Sequence, residues 1–63
     1  MVKYRAIYTK KKYLHTFVYE FEFEVKRKFL FNTSLKKYAK KKILEETEYI
    51  DNEVDIVDVI MLP

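Results

Sequence analysis

From Phe17 to Phe31 the chain reads FVYEFEFEVKRKFLF, and this run narrows the possible folds more than any other stretch. Phe17, Tyr19, Phe21, Phe23, Val25, Phe29 and Phe31 occupy the odd positions, with Arg27 breaking the row, while Glu20, Glu22, Glu24, Lys26 and Lys28 occupy even ones. Side chains alternate between the two faces of a strand, so a period of two sorts these residues into an apolar face and a charged face. A helix would scatter the same aromatics around its circumference. Held straight, the run would extend about 50 Å at ~3.3 Å per residue. That is longer than a short neighbouring strand can pair, so a bend at Lys26–Lys28 is expected, with strand exchange between two subunits as the alternative.

The flanking segments complete an α+β pattern. Residues 2–9, VKYRAIYT, alternate as a first strand with Tyr4, Ala6 and Tyr8 on one face. Lys10, Lys11 and Lys12 follow and lack the Gly or Asn of a tight hairpin turn, so a looser loop of three to five residues is expected, with strand 2 beginning near Tyr13. The segment NTSLKKYAKKKILEETEY reads as a helix capped by Ser34 or Thr33. Leu35, Tyr38, Ala39, Lys42 and Ile43 form its inner stripe, and Lys36, Lys37, Lys40 and Lys41 its outer face. Glu45 and Glu46 are placed to pair with Lys41 and Lys42. VDIVDVIML, from Val54 to Leu62, is rich in β-branched residues and reads as a third strand.

The expected fold is β-β-α-β in a single domain over residues 1–63: a three-stranded, mostly antiparallel sheet of order 2-1-3, the helix packed on one face. Order 1-2-3 with a parallel last pair and a right-handed crossover is the alternative. Glu20, Glu22 and Glu24 then face Lys3 and Arg5 across the outer surface. The third strand is apolar on both faces, with Val54, Ile56 and Ile60 on one and Val57, Val59 and Met61 on the other. Together with outward-pointing Ile7 and Val18, this suggests an apolar outer patch of the kind that marks an interface. Val57, Val59, Met61, Asp55 and Asp58 are therefore candidate protein-contact residues, and a homodimer is one expected outcome.

Composition bounds the chemistry. A 63-residue chain buries only ~60% of its unfolded surface. With no Cys and one His, neither disulfides nor a zinc site is expected to assist, and packing must come from five Phe and six Tyr. All 13 Lys and Arg lie in residues 1–42, whereas residues 43–63 carry seven acids and no base. The basic part makes Lys10, Lys11, Lys12, Lys36, Lys37, Lys40 and Lys41 candidate nucleic-acid contacts. Lysine neutralises phosphates as a point charge, and two Arg leave little for base reading. Tyr13 and Tyr49, near element ends, are the aromatics placed to stack on a ligand.

Catalysis is not expected. His15 has no neighbouring nucleophile in the pattern, Ser34 serves a cap, and a phosphate loop cannot form without Gly. The acidic run near the end lacks the Gly and the twelfth-position Glu of a calcium loop. No catalytic, cofactor or metal residues are therefore assigned, and no small-molecule substrate. The first nine residues, MVKYRAIYT, lack a signal-type apolar core, and no run is long enough to span a bilayer, so a soluble cytoplasmic protein is expected. Phe, Tyr, Met, Ile, Asn and Lys number 31 against five Gly, Ala, Arg and Pro, the balance of an AT-rich gene. In size, coding and divided charge the chain resembles the small regulators and inhibitors made by phages, viruses and mobile elements. A non-catalytic regulator working by protein–protein contact is the expected function, with low-specificity nucleic-acid binding as the alternative.

Overall fold

The structure, a computed structural model, describes residues 1–63. Its elements are strands β1 (Val2–Lys12) and β2 (His15–Val25), helix α1 (Asn32–Glu46), one turn of 3-10 helix (Asp51–Glu53) and strand β3 (Val54–Met61). The sheet order is β2-β1-β3 with both pairs antiparallel, as the alternation and the helical stripe imply. The long alternating run ends as a strand at Val25, where the chain bends at Lys26 and Arg27.

The first connection is tighter than the sequence suggests. Lys10, Lys11 and Lys12 belong to β1, and only Tyr13 and Leu14 lie between the strands, with Lys12 opposite His15. Tyr13 takes φ 58°, the only positive φ in the chain. One positive φ at the first central position matches a II′ turn, which suits the strand twist but normally uses Gly there. Tyr at this φ costs on the order of 1 kcal/mol, which the hairpin sustains because register is locked over its whole length, from Lys12↔His15 to Val2↔Val25.

This register delivers Tyr4, Ala6 and Tyr8 of β1, with Phe21, Phe23 and Val25 of β2, to one face. Leu35, Ala39 and Ile43 of α1 close over that face, and Val54 and Val59 of β3 complete the core. Ile43 and Val54 are its largest fully buried side chains. Tyr4 lies between rings, stacked on Phe23 at 5.6 Å and edge-on to Phe29 at 6.2 Å. Its hydroxyl accepts the Phe29 amide at 3.1 Å, which ties the segment after β2 back to the sheet. Burial pushes the Tyr8 phenol pKa up, with Tyr49 and Tyr19 adding to the effect.

The helix ends differ from expectation. The N-cap position is Phe31, with no side-chain cap, so Thr33 and Ser34 lie inside the first turn. At the other end the Thr47 hydroxyl donates to the Ile43 carbonyl at 2.7 Å and accepts the Tyr49 amide at 3.3 Å, ending the helix without Gly. Glu45 and Glu46 make no ion pair with Lys41 or Lys42; the lysine on this helix that finds a carboxylate is Lys40, 3.1 Å from Asp51.

The doubly apolar third strand is explained by a bulge. Ile7 faces Asp58 while Tyr8 faces Ile56, which leaves Val57 as an extra residue. Beyond it the phase reverses. Val59 and Met61 join Val54 and Ile56 on the helix side, and Ile60 turns outward opposite Arg5. The expected division of this strand into two apolar faces is thereby corrected. On the outer face Ile7 lies between Glu20 and Asp58, Ile60 is opposite Arg5 and Val18 is opposite Thr9. Deleting Val57 should leave a regular strand with the same residues inward, and hence a cooperative melt with native far-UV dichroism. Deleting Val59 should abolish both.

Candidate binding surfaces

The two ends of the sheet expose what the helix does not cover. At one end β1 and β2 project beyond β3, whose pairing with β1 stops at Lys10. His15 to Glu20 are all exposed there, and Tyr13 and Leu14 at the tip are 92% and 99% exposed. Phe17 and Tyr19 lie on the helix side of this arm with rings 6.5 Å apart, and neither is covered by the helix.

At the other end, the bend after β2 and the start of α1 enclose an open groove of about 680 Å³. Met1, Val25, Phe29, Leu30, Phe31 and Tyr38 supply its apolar surface. Leu30 and Phe31 are 89% and 70% exposed. Lys26, Arg27 and Lys28 line the same groove, with Glu24 the one carboxylate. None of the three bases takes part in the chain's five ion pairs. Sequence reading missed this site because Phe29 and Phe31 fit the alternation of β2. The signal was Leu30 between them: three consecutive large apolar residues cannot all face one core.

The expected lysine surface is divided by its surroundings. Lys10 is sequestered, 3.4 Å from Glu53 and 4.5 Å above the Tyr49 ring, so the two residues assigned to ligand contact engage each other. Lys11 and Lys12 are exposed near the arm tip, away from the helix lysines. Lys37 and Lys41 are exposed and Lys36 half-buried, while Lys40 is held by Asp51. Lys37, Lys40 and Lys41 share a hollow with Glu45 and Asp51, which interrupts the positive face.

The candidate protein-contact set on β3 separates as well. Val59 is buried in the core, which corrects its assignment to an interface. Met61 is exposed at the strand end and Val57 at the bulge. Asp55 and Asp58 lie on the outer face, where Asp58 accepts the Val59 amide at 2.9 Å. No three His, Cys, Asp or Glu side chains converge as a metal site would need, and no helix is long and apolar enough to cross a membrane. Comparison of the chain with protein-family models, curated proteins and solved structures finds no match.

The outer face is organised by Arg5. Its Nη2 and Nε both donate to Glu22 Oε2, at 2.8 and 3.1 Å, with Lys3 3.7 Å from the other oxygen. The Arg5 hydrogen bond is the main reason the Glu22 carboxyl sits below the ordinary carboxylate range; slight desolvation opposes it, and the charges of Arg5 and Lys3 add to it. A depressed folded-state pKa means the pairing contributes at and above the ordinary carboxylate range and is lost as pH falls through that lower value. In an NMR titration Glu22 should therefore titrate below the ordinary carboxylate range, and Arg5→Gln should move it back toward that range.

The Tyr4–Phe29 hydrogen bond allows a second check. Tyr4→Phe keeps the ring stacking but removes the acceptor. Protection of the Phe29 amide against hydrogen exchange should then fall roughly fivefold, for a bond worth about 1 kcal/mol, with global stability reduced by no more than that.

Proposed function

We propose that this is a small, non-catalytic binding protein that modulates a larger protein by holding an acidic, apolar segment of it in the groove between β2 and α1. The observation that carries this reading is the pairing of exposed Leu30 and Phe31 with the unpaired Lys26, Arg27 and Lys28 along one groove. Apolar side chains this exposed lower solubility unless a partner covers them, and adjacent free cations select a partner of opposite sign. The groove's volume lies within the range of ligand sites, and its Tyr38 wall is fixed by rings at 5.3 Å (Phe29) and 5.6 Å (Phe23). Size and AT-rich coding agree with a regulator of phage, viral or mobile-element type.

Nucleic-acid binding is less well supported, because Lys10 and Lys40 are engaged and acids interrupt the helix lysines.

The test is fluorescence anisotropy with short labelled peptides rich in Glu, Leu and Phe, alongside random single- and double-stranded oligonucleotides, at low and near-physiological salt. Micromolar peptide binding is expected. It should weaken at least ~10-fold, about 1.4 kcal/mol, in the Leu30→Ser/Phe31→Ser double variant and in a variant with Lys26, Arg27 and Lys28 changed to Glu. Absence of peptide binding overturns the proposal. So does steeply salt-dependent oligonucleotide binding that is indifferent to Leu30 and Phe31, which would establish the nucleic-acid reading instead.

A further inference from the structure

We infer that a second copy of this chain adds to the free edge of β2, antiparallel, with Val18 on the two-fold axis between the copies. The two sheet edges are not alike. β3 is short, bulged at Val57 and carries Asp55 and Asp58, the usual means of discouraging strand addition. β2 offers 11 residues without bulge or Pro, and His15–Glu20 are exposed throughout.

The tight turn determines which backbone groups that edge presents. In a two-residue hairpin the flanking pair, Lys12 and His15, exchanges both hydrogen bonds, and such pairs then recur at every second position. Phe17, Tyr19 and Phe21 accordingly direct their N–H and C=O groups toward β1. Those of Thr16, Val18 and Glu20 point away from the sheet. The other side of β1 agrees with this phase, since the Lys3 carbonyl accepts the Leu62 amide at 2.8 Å.

Charge then chooses among the registers. An axis at Glu20, Phe21 or Glu22 sets carboxylates of the two copies directly opposite each other, the cross-strand arrangement that destabilises a sheet. An axis at Tyr19 leaves the two Glu20 carboxylates two positions apart along the strand, about 7 Å. An axis at Phe17 pairs only His15 to Tyr19. With the axis at Val18, pairing runs from His15 to Phe21 and Thr16 faces Glu20 of the second copy. The two Glu20 side chains are then about 13 Å apart, beyond the ~8 Å screening length. In this register Val18 faces itself as a hydrogen-bonded pair. Phe17 faces Tyr19 of the second copy at the closer, non-hydrogen-bonded spacing where aromatic pairs gain most. The aromatics that the helix leaves uncovered are covered by the same aromatics of the other copy.

Light scattering and sedimentation of the full chain at micromolar concentration should give twice the 7.8 kDa chain mass. Val18→Pro removes an outward amide that β1 does not use, so it should give the single-chain mass with native dichroism. Val18→Lys, at a side chain already 67% exposed, should do the same by placing two charges on the axis. Val18→Cys should cross-link quantitatively on oxidation, whereas Glu24→Cys should not. The Leu30→Ser/Phe31→Ser variant should remain paired, which separates this result from the fate of the groove. A single-chain mass for the wild type overturns the inference, as does a pair that survives a folded Val18→Lys substitution.

Discussion

The two-residue connection at Tyr13 and Leu14 is the constraint on which the rest of the structure depends. A turn that short permits one register. From it follow the face on which each aromatic lies, the parity of the charged outer surface and the backbone groups left unpaired on β2. A slip of one residue would send Tyr4, Ala6 and Tyr8 to solvent and bring Lys3 and Arg5 against the helix. The strain at Tyr13 is small beside that cost, so a φ that would ordinarily favour Gly persists at the tip.

Tyr4 joins this register to the surface. It is buried, stacks on Phe23 in the sheet and bonds the Phe29 backbone in the segment that walls the groove. The same rings that hold the sheet to the helix therefore position the apolar side of the groove, through Phe29 and Tyr38. Core and candidate site are coupled by direct contact. A small domain with nine buried residues has little else with which to hold an exposed segment in place.

Much of the architecture was legible because the two periodicities are clean: period two through Phe23 and Val25, and Leu35, Ala39 and Ile43 at helical spacing. The cross-strand charges were legible for the same reason, since Arg5 and Glu22 each lie on the polar phase of their own strand. What escaped depends on contacts between distant segments or on backbone that composition does not announce. Tyr-Leu is no turn signature. Lys10 resembled its two neighbours until Glu53 and Tyr49 folded beside it. The bulge was written in VDIVDVIM as a change of phase, with Val54 and Ile56 in one frame and Val57, Val59 and Met61 in the other. A change of phase within one strand signals an extra residue as readily as a second apolar face.

The irregularity at Val57 also bears on how large an assembly of this protein can become. A sheet with two receptive edges propagates and ends in fibres; a sheet with one receptive edge reaches closure after a single addition. Because β3 is bulged and acidic while β2 is straight and open, the chain is polar in this sense, with one side able to join and the other a terminus. One inserted valine thus acts as a chain stopper, and the open edge of β2 carries little risk of unlimited polymerisation.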